Sequence, residues 1–124
     1  MSEHLEQCAV VYYCQLKRLA YFSIPNGQML HGNERQRAGQ IRKLKAEGFL
    51  DGASDLVVML PKTILFIEMK KQKKKLNNGT FSNSHSKPSD NQLAFLKMVN
   101  RFGYAFGKVC YGSKEAIAFI ESEL

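Results

Sequence analysis

From Glu3 to Ala20 the chain contains no Gly or Pro, and Leu5, Cys8, Tyr12, Leu16 and Leu19 recur at spacings of three and four. This predicts an amphipathic helix with that stripe turned toward the core. Tyr21 to Ile24 is a short strand candidate, stopped by the turn residues Pro25, Asn26 and Gly27. GNERQRAGQIRKLKAEG follows as a basic helical or partly helical stretch, with Asn33 as N-cap and Gly48 as stop. Leu56 to Leu60 and Ile64 to Met69 are Val/Ile/Leu-rich runs about Pro61 and Lys62, the pattern of a hairpin. Apolar residues stand on both faces of these runs, so they are expected to be central strands with helices on each side. Residues 71–89 pass from a basic run into a Ser/Asn/Gly-rich loop without apolar periodicity, expected to be mobile. Ser89 then caps a helix carrying Leu93, Leu96, Val99 and Phe102 and ending at Gly103. Tyr104 to Tyr111 is a strand and Ser113 opens a last helix. The order is αβ(α)ββαβα, a single α/β domain over residues 1–124.

Charge on the hairpin gathers at one end: Asp55 precedes the first run, and Glu68 and Lys70 close the second. A loop centred on Pro61 and Lys62 pairs Leu60 with Thr63 and, in the same register, sets Asp55 opposite Glu68. Opposed side chains have Cβ atoms about 4.5 to 5.5 Å apart, where two carboxylates repel unless something positive lies between them. A divalent cation meets that need. Glu68 and Lys70, two apart on a strand, share a face, while Met69 points the other way into the core. Hydrolysis of a phosphodiester uses such a set: carboxylates hold Mg²⁺, which polarises the phosphoryl oxygen and acidifies a water, and Lys70 orients that water or stabilises negative charge. An ExK triplet alone is common in chains of this length; its combination with the Asp and the hairpin favours the catalytic reading over charges that merely face solvent. Glu6 is a candidate further carboxylate, although an acid in a first helical turn equally suits the helix dipole.

Composition narrows the partner. Eighteen Lys+Arg against eleven Asp+Glu give a net charge of +7, which favours a polyanion, either nucleic acid or an anionic membrane surface. Arg35, Arg37, Arg42, Lys43 and Lys45 form one basic cluster and Lys71, Lys73, Lys74 and Lys75 another, both adjacent in sequence to the proposed chemistry and both candidate DNA contacts. No run reaches the roughly 18 apolar residues of a membrane span, and Met1 to Leu5 lacks the order of a secretory signal, so a cytoplasmic protein is expected. Cys8, Cys14 and Cys110 offer no paired spacing and are expected to be small core residues. His4, His31 and His85 lack ligand spacing and receive no role.

The chain resembles the PD-(D/E)XK nuclease superfamily and, within it, the stand-alone virus-type replication-repair nuclease (VRR-NUC) domains of phages and prophages. The resemblance is carried by EQ at Glu6 and Gln7, IPNG at Ile24 to Gly27, KAEG at Lys45 to Gly48, GASDL at Gly52 to Leu56, FIEMK at Phe66 to Lys70, Gln92, and GY then VCYG between Gly103 and Gly112. It implies a restriction-endonuclease-like α/β core with a mixed central sheet flanked by helices. It further implies Mg²⁺ (Mn²⁺ as substitute) on Asp55 and Glu68, with Glu6 completing the acidic set and Lys70 as catalytic lysine. Gln92 matches the family's glutamine at the start of the next helix, but Ser89 to Gln92 also spells a capping box. Ser54 stands where the family usually has Pro, a residue that shapes backbone without taking part in chemistry, and the segment from Lys71 to Ser89 is longer than usual.

The leading expectation is a structure-selective endonuclease similar to Holliday-junction resolvases, acting on branched DNA as a homodimer, with Val10, Val11 and Tyr13 as candidate interface residues. A nuclease on flaps, nicked or single-stranded DNA, a restriction-type enzyme, and a DNA-binding module without catalysis are the alternatives.

Overall fold

The computed structural model describes residues 1–25, 30–82 and 86–124. Asn26 and Gly27 of the expected turn, and His85, lie outside the described residues. The elements are α1 Glu3–Leu16, β1 Ala20–Ser23, α2 Glu34–Ala46, β2 Leu56–Met59, β3 Ile64–Lys70, α3 Asp90–Val99, β4 Ala105–Tyr111 and α4 Ser113–Glu123. Side chains close the helix starts: Ser2 accepts from the Leu5 N–H, and Asn33 with Gln36 and Ser89 with Gln92 form reciprocal capping boxes. The four strands lie in the order β1-β2-β3-β4; β1 to β3 are antiparallel and β3–β4 is parallel, which makes the sheet mixed. Leu56 pairs with Ile67 and Val57 with Phe66, and the Leu60 N–H donates to the Thr63 carbonyl at 2.8 Å. This is the register that the Pro61-Lys62 loop implies.

Alternation on β3 builds two layers. Leu65, Ile67 and Met69 pack with Val10 and Cys14 of α1 and Ala116 and Ile120 of α4. Phe66 turns to the opposite layer, against Phe95, Leu96 and Val99 of α3, where it meets Phe95 edge-to-face with centroids 5.7 Å apart.

The inner faces of two helices differ from the expected stripes. On α1 the buried residues are Glu6, Val10 and Cys14, while Leu5, Tyr12 and Leu16 are exposed, as is Cys8. Val10 is therefore core and not interface. Val11 and Tyr13 pack at the edge of that core, where the Tyr13 hydroxyl donates to Glu121 at 3.2 Å. On α3 the buried set is Phe95, Leu96 and Val99, which keeps Leu96 and Val99 of the expected stripe; Leu93 is exposed, and the helix ends at Val99, so Phe102 lies beyond it and is exposed too. In both helices the true inner row contains a polar residue, Glu6 or Gln92, that an apolar pattern passes over. β1 begins one residue earlier than expected, yet the Ile24 N–H still donates to the Asp55 carbonyl at 2.9 Å and carries the pairing to the start of the candidate site.

The turn before β2 is held against the start of α3. Gly52 is buried at φ +90°, and a Cβ there would lie 2.5 Å from the Asn91 carbonyl carbon and 2.8 Å from the Gln92 nitrogen. Beside it the Asn91 amide donates to Asp51 at 2.9 Å. Gly52→Ala therefore meets both a backbone conformation that costs about 1 to 3 kcal/mol and a clash with helix backbone. The expected outcome is a clearly lowered melting temperature in thermal denaturation; a variant as stable as wild type would show that α3 is not seated on this turn.

Candidate active site

Asp55 sits just before β2, between two strands that both hold it. Its carbonyl accepts from Ile24, and its Oδ2 accepts from the Met69 N–H at 2.9 Å, which continues the hairpin ladder through a side chain. Glu68 lies across from it on β3, 2 % exposed, and Lys70 follows on the same face at 8 %. The Lys70 Nζ is 3.7 Å from Glu68 Oε1. The Gln92 Nε2 donates to the same oxygen at 2.6 Å, while the Gln92 Oε1 accepts from the Ser89 N–H at 2.9 Å. The capping bond fixes which end of the amide faces Glu68. Gln92 thus serves helix start and carboxylate together, and the two roles read from the sequence are compatible.

Glu68 Oε2 is buried and has no hydrogen-bond partner. Burial pushes the Glu68 carboxyl up to about 8, the Asp55 charge adds to the rise, and Lys70 opposes it. Asp55 is also raised, chiefly by burial, against the lowering effects of the Met69 N–H, Glu68 and Lys70. Two carboxyls whose ionised forms burial disfavours, with a free oxygen between strands, fit a hard divalent cation, which bonds to oxygen and favours the ionised form of both.

Glu6 is buried at 3 % and comes from α1, whose Glu3 charge acts on Glu68. One Glu6 oxygen accepts from the Ser113 N–H at the start of α4, where the helix dipole favours a carboxylate. Gly112, at φ +92°, leaves room for this contact: a Cβ there would lie 3.3 Å from the Glu6 oxygen. Among the described residues no three His, Cys, Asp or Glu side chains come to metal-ligand spacing, so Glu6 does not join Asp55 and Glu68 in this arrangement. Of the residues that position these groups, Gly52 figures in the sequence only as part of GASDL and Ser113 only as a helix start, while Asp51 carries no signal.

Arg35, Arg37, Arg42, Lys43 and Lys45 are all exposed on α2, a helix that buries no residue. Lys71, Lys74 and Lys75 are exposed beyond β3, and Lys73 stacks its ammonium 4.5 Å from the Tyr111 ring centroid. No helix among the described residues is long and apolar enough to cross a membrane.

No family model and no curated protein matches the chain. Among solved structures, a VRR_NUC domain protein is similar, with a TM-score of 0.60 and 23% identity over 98% of this chain and 87% of that one. The chain therefore has a VRR-NUC fold.

Glu68 also makes stability depend on pH. A folded-state pKa raised from the ordinary 4.5 to about 8 means that the folded protein holds this proton more tightly than the unfolded chain. The associated stability is present in acid and is lost as pH rises through that interval. In EDTA, the melting temperature is expected to fall between about pH 5 and about pH 9, and Glu68→Gln is expected to remove most of that fall. An equally steep fall in the variant would locate the effect elsewhere.

Proposed function

We propose that the chain is a metal-dependent, structure-selective DNA endonuclease that hydrolyses phosphodiesters in branched DNA, similar to Holliday-junction resolvases. The observation that carries the proposal is the buried Glu68 facing the half-buried Asp55, with one Glu68 oxygen unpartnered and Lys70 on the same face. A DNA-binding module without chemistry would gain by replacing such a pair with apolar residues, because buried carboxylates are costly unless compensated. The fold it shares with a protein named for a nuclease domain supports the same reading.

Asp55 and Glu68 would hold Mg²⁺, or Mn²⁺ in its place. The ion, when bound, supplies positive charge to the scissile phosphate and a more acidic water. Lys70 places its ammonium beside Glu68, where it orients the attacking water or offsets charge that develops on the phosphate. Gln92 is a positioning residue that fixes the Glu68 carboxylate. Glu6, held at its contact with α4, would add a third carboxylate only by shifting toward the pair. The exposed basic face of α2 and the lysines after β3 meet phosphates, which supplies affinity without reading bases.

Plasmid nicking and cleavage of labelled four-way, flap and linear duplexes test the reading. Asp55→Asn, Glu68→Gln and Lys70→Ala are each expected to lose cleavage on the order of 10²-fold or more while still binding DNA. EDTA is expected to stop cutting by the wild type. Glu6→Gln retains an acceptor for the Ser113 N–H but loses a charge, so weaker Mn²⁺ binding by calorimetry with an unchanged fold is expected. Near wild-type cutting by Glu68→Gln would remove this site from the chemistry.

A four-way junction offers two equivalent strands, and one subunit has one acidic pair, so paired incision is simplest in a two-fold dimer. Leu5, Tyr12 and Leu16, exposed along α1, replace Val10 and Tyr13 as the apolar face for a second copy. Light scattering is expected to give a dimer at micromolar concentration. A monomer that cuts flaps in preference to junctions would transfer the proposal to a flap or single-strand nuclease with the same catalytic residues.

A further inference from the structure

Beyond Lys70 the chain builds a short hairpin that the sequence pattern did not reveal. The Ser82 N–H donates to the Lys74 carbonyl at 2.8 Å, Lys75 and Phe81 form an antiparallel bridge, and the Leu76 N–H donates to the Thr80 carbonyl at 2.7 Å. Asn78 accepts from both the N–H and the hydroxyl of Thr80, and Gly79 makes the turn at φ +86°. Phe81 is thereby brought to the same pocket as Tyr111, the strand partner of Lys70 in the β3–β4 register. Strand spacing puts the two backbones about 4.8 Å apart, so Tyr111 sets one wall of the pocket beside the strand end that carries Lys70.

Phe81, Tyr111, Gln72, Lys73, Lys114 and Glu115 line this pocket of about 340 Å³, within the size range of small-ligand sites. Phe81 remains 56 % exposed, so its ring is open to a ligand arriving from solvent. Two aromatic rings with two ammonium groups form a surface for a flat ring that carries phosphates beside it. Glu115 settles which part enters, since a carboxylate in the lining repels a phosphate but accepts a hydrogen bond from a base's amino group. The cation on the Tyr111 ring marks a face suited to stacking.

We propose that this pocket takes one unstacked nucleobase of the DNA, next to the phosphate at the acidic pair, with Lys73 and Lys114 on the flanking phosphates. The proposal rests on the nuclease reading and deepens it. A base inside a duplex is covered on both faces by its neighbours, so such a pocket selects strands with an unpaired nucleotide, as found at branch points, flaps and ends.

Binding of full-length protein to a fluorescent single-stranded oligonucleotide in EDTA, with one abasic site moved along it, tests the pocket without cleavage. Wild type is expected to lose affinity about 5- to 100-fold when the abasic site occupies one particular position, the range of a single base–aromatic stack. Phe81→Ala is expected to show the same loss with an intact oligonucleotide, to become indifferent to the abasic site, and to be rescued by Phe81→Trp. Its salt dependence should stay unchanged, whereas Lys73→Gln with Lys114→Gln should lower the log–log salt slope by up to about 1.4 on single strands. Wild-type affinity in Phe81→Ala, or no sensitive abasic position, overturns the base pocket. Should that occur while Mg²⁺-dependent cutting still requires Glu68, the nuclease reading stands alone. A wild-type protein that binds none of these oligonucleotides and cuts no DNA overturns both.

Discussion

Two carboxylates facing each other across a hairpin repel, and burial removes the water that would weaken the repulsion. Around Asp55 and Glu68 the chain spends a backbone N–H from Met69, an amide from Gln92 and an ammonium from Lys70, yet Glu68 still titrates near 8 and keeps one oxygen unpartnered. The compensation is incomplete because Gln92 and Lys70 both face Glu68 Oε1 and the Met69 N–H serves Asp55, which leaves Glu68 Oε2 without a donor. Apolar residues at these positions would be easier to bury, so the pair imposes a constraint on its surroundings that packing alone does not explain.

That constraint reaches into three helices. α3 begins where its capping glutamine meets Glu68, and a buried glycine lets the preceding turn approach that helix start within backbone contact. α4 begins where its first N–H meets Glu6, and α1 contributes Glu3 and Glu6 from its own first turn. The N-termini of these helices, each with a positive end of its dipole, thus contribute to the surroundings of the acidic residues. The parallel pairing of β3 with β4 brings Lys70 level with Tyr111 at the carboxyl ends of both strands, the region where open α/β sheets hold their ligands.

The hairpin register, the opposition of Asp55 and Glu68, the shared face of Glu68 and Lys70, and the start of α3 were all legible, because each follows from local rules of pairing, alternation and capping. The inner face of α1 was not, and that of α3 only in part, through Leu96 and Val99. Apolar periodicity selected Leu5, Tyr12 and Leu16 on one and Leu93 on the other, all of them exposed. The correct rows, through Val10 and Cys14 and through Phe95 and Val99, each begin with a polar residue, Glu6 or Gln92. A helix that delivers a polar group to a site must turn that group inward, so the hydrophobic pattern is broken at the residue of interest. The small hairpin after Lys75 was hidden for another reason: its bonds are backbone contacts and an Asn turn, with no apolar alternation to announce them.

Ser54 shows how the site and its supporting backbone share their costs. It is fully buried, immediately before Asp55, and its hydroxyl has no hydrogen-bond partner. A buried hydroxyl left unpaired costs about 1 to 3 kcal/mol, so a residue chosen only for stability at this position would be apolar. The Glu68 oxygen next along the hairpin register bears a penalty of the same kind, larger whenever the carboxyl is ionised. Unpaired polar groups dispersed through a fold would signal poor packing. Among the described residues two of the three such groups flank Asp55 and the third, Thr63 Oγ1, lies at the turn end of the hairpin, while Leu56, Val58, Leu65 and Ile67 between them are completely buried among apolar neighbours. The hairpin is therefore packed with apolar residues between its ends, and what sets the Asp55 end apart from the turn end is that an unpaired group there belongs to a carboxyl facing a second carboxyl.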